Sequence, residues 1–212
     1  MKALHDCRLY AFVDSAYLQG LNPPEVARQL CDGGADLIQL RAKGLPPAAV
    51  ALMAAAILPV TQAAGVGLVI NDHPEVAREI GAAACHLGQE DFFDAGYKKA
   101  SQVAGTRGQL MLGLSTHTPT QAERALQASP DYIAIGPVYA TGTKPTAKPV
   151  TLDYVRWAAA HVSIPWFAIG GINLQTLDAV LRAGATRICV VSAILTAPNI
   201  AKACQEFRQR LP

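Results

Sequence analysis

The stretch Gly33-Gly34-Ala35-Asp36-Leu37-Ile38-Gln39-Leu40-Arg41-Ala42-Lys43 sets the reading of the whole chain. A glycine pair breaks the preceding segment, a short apolar run follows, and polar side chains at alternate positions end it. Alternation along a strand places Gln39, Arg41 and Lys43 on one side of the backbone. Pro46 and Pro47 then open an alanine-rich helix reaching about Ala64, and Gly65 breaks the chain before the next apolar run. The unit is a strand, a polar strand end, a helix and a break.

That unit recurs. Apolar runs at 8–13, 36–40, 67–70, 85–87, 110–114, 131–136, 165–169 and 187–191 lead in turn to Asp14, Arg41 with Lys43, Asn71-Asp72, Gln89-Glu90-Asp91, Ser115, Pro137, Gly170-Gly171 and Ser192. Between them, Asn22-Pro23-Pro24-Glu25, Pro74, Thr118-Pro119-Thr120-Gln121 and Asn173 carry helix-start chemistry. The strands are continuous apolar runs, as parallel strands covered on both faces require. Eight such units over 212 residues average about 26 residues each, enough for a (β/α)₈ TIM barrel, expected as a single domain over 1–212. A doubly wound open sheet is the competing α/β fold, but it gathers ligand groups near a topological switch point. Here polar signatures follow almost every strand, which favours the closed barrel. Gly65-Val66-Gly67 precedes a strand and is no dinucleotide fingerprint.

A content of 51% hydrophobic residues supports a full core, and a formal net charge of +2 gives no global basic field for nucleic acid. The five cysteines (Cys7, Cys31, Cys85, Cys189, Cys204) form no CxxC pair. With no apolar stretch of signal-peptide length at the start, a reducing, cytoplasmic setting is expected. No apolar run reaches membrane-span length, so no membrane is expected as partner. A homo-oligomer is compatible with this composition.

Arg41 offers a planar fork and Lys43 a compact charge, a pair suited to a diphosphate. Asp72 and Asp91 end consecutive strand units. Each alone reads equally well as a helix cap; together they suit Mg²⁺ completed by substrate oxygens and water. Gly170-Gly171 and Val191-Ser192 follow the seventh and eighth strands, the usual phosphate position of a barrel. Residues 136–149 form a long proline-rich loop that reads as a lid, with Thr141, Thr143 and Lys144 placed to close over an anion. His117 has no visible nucleophile to serve and reads as structural, as do His73 and His86.

The ordered strings Gln39-Leu40-Arg41-Ala42-Lys43, Ile70-Asn71-Asp72, His86-Leu87-Gly88-Gln89-Glu90-Asp91, Leu114-Ser115-Thr116-His117-Thr118, Gly136-Pro137-Val138 with Thr141-Gly142-Thr143-Lys144, Ala168-Ile169-Gly170-Gly171 and Val191-Ser192-Ala193-Ile194 resemble thiamine phosphate synthase. The resemblance implies a barrel that joins an aminopyrimidine-methyl diphosphate to a hydroxyethyl-thiazole phosphate and releases pyrophosphate. It implies that Gln39, Arg41, Lys43, Asn71, Ser115 and Lys144 hold the pyrimidine diphosphate, with Arg41, Lys43 and Lys144 catalytic. Asp72 and Asp91 would bind Mg²⁺. Thr141, Thr143, Gly171, Val191 and Ser192 would hold the thiazole phosphate, and Leu40, Ala42 and Gly142, inside the matching strings, join the substrate-binding set. His73 stands where many members carry arginine, and Thr151 where glycine is common. A thiazole tautomerase-like barrel using His117 as acid or base, or a non-catalytic thiazole-phosphate binder, are the rival expectations.

Overall fold

The apolar runs form parallel strands that pair in chain order. In the computed structural model, which describes residues 1–104, 110–142 and 148–212, these are β1 (Leu9–Asp14), β2 (Leu37–Arg41), β3 (Gly67–Asn71), β4 (Ala84–Leu87), β5 (Met111–Thr116), β6 (Tyr132–Ile135), β7 (Trp166–Ala168) and β8 (Ile188–Cys189). Strand β8 pairs with β1 through Leu9 opposite Ile188 and Tyr10 opposite Cys189, which closes the barrel. The expected (β/α)₈ architecture is the observed one. Thr143 and Lys144 lie outside the described residues.

Helices α1 (Pro23–Asp32), α2 (Pro47–Ala63), α3 (Pro74–Glu79), α4 (Ser101–Ala104), α5 (Pro119–Gln127), α6 (Thr151–His161), α7 (Leu177–Arg182), α8 (Ser192–Leu195) and α9 (Ile200–Gln209) surround it. Their starts follow the sequence signals with local differences. Thr118 accepts the Gln121 N–H at 3.2 Å, as a cap should. Asn22 makes no side-chain cap bond, and α1 begins on Pro23, whose missing N–H costs nothing at that position. Asn173 accepts from Gln175 and Thr176, both at 3.0 Å, so it caps the turn leading into α7.

Inside the strands, Tyr10, Phe12, Tyr132 and Phe167 fill the barrel. Tyr10 meets Phe167 edge-to-face at 5.4 Å between centroids, and Tyr132 meets Phe167 the same way at 5.6 Å. Gly113 on β5 lies opposite Tyr132 in register, and a Cβ there would sit 2.0 Å from the Tyr132 Cζ. The glycine is what admits the ring. At the other end of the strands the buried carboxylate of Asp36 accepts from Lys2 at 2.5 Å and from the Arg8 and Leu9 N–H groups at 2.7 and 3.1 Å, tying the N-terminal segment under the barrel.

Thr151 opens α6 at φ +63°, in the left-handed region that β-branched residues rarely occupy. The family resemblance implies glycine at this position, and a left-handed backbone is a physical reason for it. Thr151→Gly should stabilise the fold by about 0.5–1 kcal/mol, since the left-handed penalty of ~1–2 kcal/mol exceeds the entropy cost of glycine. Gly113→Ala should cost about 1–3 kcal/mol by displacing Tyr132. Urea unfolding midpoints check both; a Gly113→Ala midpoint equal to wild type would contradict the packing described.

Candidate active site

The C-terminal strand ends enclose a cavity of about 380 Å³, within the size range of small-molecule sites. Strand β2 sends in Gln39 and Arg41, and the turn after it Lys43; β3 and the residue after it give Asn71 and Asp72; the segment after β4 gives Glu90 and Asp91. Ser115 and His117 come from the end of β5, Thr141 from the loop after β6, Gly170 and Gly171 from the loop after β7, and Val191 and Ser192 from the end of β8. Of the described substrate-binding positions expected from sequence, Leu40, Ala42 and Gly142 are absent from this lining. Leu40 and Ala42 are buried, on the face opposite Gln39, Arg41 and Lys43, so strand alternation turns them away from the mouth. Gly142 has no side chain to project, and the nearest atom a Cβ would meet is the Tyr17 hydroxyl at 3.9 Å.

Arg41 donates from a terminal guanidinium nitrogen to Asp14 Oδ2 at 2.7 Å. The Asp14 side chain is fully buried, and its other oxygen accepts the Ala16 N–H at 3.0 Å. Asp14 faces Arg41 directly in the β1–β2 register. It therefore fixes the guanidinium at the rim, a role that no local signal at the end of β1 announces.

Lys43 pairs with Asp72. Asp72 adopts φ +65°, accessible to aspartate more than to most residues, and its N–H donates to the His86 carbonyl at 3.0 Å. It does not cap α3: His73 holds that position, with no side-chain cap bond. The helix-cap alternative for Asp72 is thus removed. Asp91 lies in the first turn of a single-turn π-type helix (Glu90–Asp94) and accepts the Gly88 N–H through Oδ2 at 3.3 Å. Among the described residues no three His, Cys, Asp or Glu side chains form a metal cage. Asp72 and Asp91 both line the cavity, and carboxylates are the donor type a hard cation such as Mg²⁺ takes when phosphate and water supply its remaining ligands.

His117 lines the cavity, with Nδ1 bonded to the Gly136 carbonyl and its N–H donating to Gln121 Oε1 at 2.7 Å. Among the described residues, Nε2 has no hydrogen-bond partner. His73 contacts Glu75 and lies outside the lining. His86, read from sequence as structural, does line the cavity, together with Tyr10 and Phe12. Burial pushes its pKa down to about 4, so it is neutral. A polar ring inside an apolar strand run was the available signal for His86; its partners lie on other strands.

Gly170 and Gly171 have φ +101° and +65°. A Cβ on Gly171 would lie 2.6 Å from the Ala140 carbonyl oxygen, so the loop after β6 closes down on a bare backbone there. Ser192 is the first residue of α8 and Val191 its cap position.

Residues 9–194 match the family model described as thiamine monophosphate synthase. A thiamine-phosphate synthase of Lawsonia intracellularis is 37% identical over 207 residues, covering 97% of this chain and 93% of its own. One from Acidothermus cellulolyticus is 41% identical over 214 residues, covering 100% and 98%. Among solved structures, a thiamine phosphate pyrophosphorylase from Pyrococcus furiosus superposes with a TM-score of 0.83 at 27% identity, covering 96% of this chain and 94% of that one. Sequence match and fold agree, and the chain belongs to the thiamine monophosphate synthase family.

Proposed function

We propose that this enzyme condenses an aminopyrimidine-methyl diphosphate with a hydroxyethyl-thiazole phosphate, forming thiamine phosphate and pyrophosphate. The observation that carries the reading is the convergence on one cavity of a cationic pair, Arg41 and Lys43, two carboxylates, Asp72 and Asp91, and a separate glycine and serine rim at Gly171 and Ser192. Gln39, Asn71 and Ser115 hold the pyrimidine. Arg41, Lys43 and Lys144 hold its diphosphate. Thr141, Thr143, Gly171, Val191 and Ser192 take the thiazole phosphate. Both partners are small molecules, and no helix among the described residues is long and apolar enough to cross a membrane. We place the reaction in the cytoplasm; assembly as a homo-oligomer is compatible with it.

The carbon–oxygen bond to the diphosphate breaks first, its electron pair leaving with the diphosphate oxygen. The pyrimidine-stabilised methyl cation is then attacked by the lone pair of the thiazole nitrogen, forming the carbon–nitrogen bond. No proton has to be removed from the nucleophile, so His117 need not act as a base. Arg41, aimed by Asp14, and Lys43 stabilise charge on the leaving group, and the rim at Gly171 and Ser192 positions the second substrate. An arriving diphosphate competes for Lys43 and releases the Asp72 carboxylate from it. Asp72 and Asp91 would hold Mg²⁺, which when bound supplies further neutralisation of the departing diphosphate.

Supplying both substrates with Mg²⁺ should give pyrophosphate and thiamine phosphate together. Binding of the thiazole phosphate without pyrophosphate release would instead identify a non-catalytic binder, and isomerisation of a thiazole carboxylate phosphate a tautomerase. Asp91→Ala should lose on the order of 3 kcal/mol of transition-state stabilisation, about 10²-fold or more in kcat, and excess chelator should silence the wild type. Full activity in chelator would overturn the metal assignment. Asp14→Ala should lower kcat/KM for the pyrimidine diphosphate by about 10²-fold through misplacement of Arg41, while KM for the thiazole phosphate stays near wild type.

A further inference from the structure

The barrel interior carries a single file of hydrogen bonds between two of the side chains assigned to the pyrimidine. Gln39 Nε2 donates to the Tyr10 hydroxyl at 2.6 Å. The Tyr10 and Tyr132 hydroxyls are 3.1 Å apart. Tyr132 is 3.2 Å from His86 Nδ1, and His86 Nε2 is 2.9 Å from Ser115 Oγ. Gln39, Tyr10, Tyr132 and His86 are all buried. The four links run across β2, β1, β6, β4 and β5.

We propose that His86 is a positioning residue. As its Nε2–H tautomer it completes a one-way chain that makes Gln39 an acceptor and Ser115 a donor toward the cavity. Each hydroxyl has one proton to give. Tyr10 receives from Gln39, so its own proton goes to Tyr132. Tyr132 then donates to His86 Nδ1, which must be bare, and the ring proton sits on Nε2 and is given to Ser115. The Ser115 proton is left for the cavity, as is the Gln39 carbonyl oxygen. Both phenols keep their protons, since burial raises each above its ordinary pKa. An aminopyrimidine offers an N–H donor on its exocyclic amine and lone-pair acceptors on its ring nitrogens, the complement of this pair. That match rests on the placement of the pyrimidine in the proposed function. Turning the Gln39 amide over would reverse every link, and Ser115 would then spend its proton on His86.

Two-bond nitrogen–proton correlation spectra of ¹⁵N-histidine-labelled full-length protein, with His86 assigned by its loss in His86→Phe, read the tautomer directly. The Nε2–H pattern in the wild type is expected; an Nδ1–H pattern or an averaged mixture overturns the proposal. In kinetics, His86→Phe should raise KM for the pyrimidine diphosphate about tenfold, the size of one lost hydrogen bond, and leave KM for the thiazole phosphate unchanged. His86→Gln, which restores a donor to Ser115, should recover part of this loss. Because His86 acts through Ser115, adding His86→Phe to Ser115→Ala should cost little more than Ser115→Ala alone; additive losses overturn the coupling. An Nε2–H tautomer combined with a change in thiazole KM alone would support the chain and refute the pyrimidine placement.

Discussion

Closure of the sheet between its first and last strands is the constraint on which the rest depends. Only two residue pairs, Leu9 with Ile188 and Tyr10 with Cys189, make the join, yet they turn eight sequential strand ends into one rim. Parallel strands all point the same way, so whatever follows each apolar run arrives at the same mouth. The aromatic filling of Tyr10, Tyr132 and Phe167 holds that geometry from within, and Gly113 is small because Tyr132 occupies the space a side chain would need.

The charges at the mouth are paired before any substrate arrives, but unequally. Asp14 is buried and also bonded to the backbone, so its hold on Arg41 is fixed geometry. Lys43 is more than half exposed (55%), and its pairing with Asp72 is open to exchange. In the proposed reaction, a rigid arginine would orient the leaving group and an exchangeable lysine would neutralise it as the bond breaks. The polar chain behind them is largely buried, with Gln39, Tyr10, Tyr132 and His86 all inside the barrel.

Much of this was legible in the chain itself, for a physical reason. Strands buried on both faces leave unbroken apolar runs, and period-two alternation puts Gln39, Arg41 and Lys43 on one side of the backbone. The same alternation turns Leu40 and Ala42 away from the mouth, and both are buried. Pairings set by inter-strand register were not legible. Asp14 meets Arg41 across 27 positions of sequence, and His86 finds Tyr132 and Ser115 only once the barrel is closed. The ambiguity of Asp72 between cap and ligand was real at the sequence level, because a polar residue just before Pro74 has the chemistry of either. It was resolved by a left-handed backbone that nothing local dictates.

The central claim is that one mouth carries two separate anion sites, one at Arg41 and Lys43 and the other at Gly171 and Ser192. Calorimetric titration with inorganic pyrophosphate and with the thiazole phosphate, singly and then one after the other in the presence of Mg²⁺, tests it most directly. The account predicts that each ligand still binds when the other is saturating, and that Arg41→Ala weakens only pyrophosphate. Mutual exclusion of the two ligands, or equal weakening of both by Arg41→Ala, would contradict it.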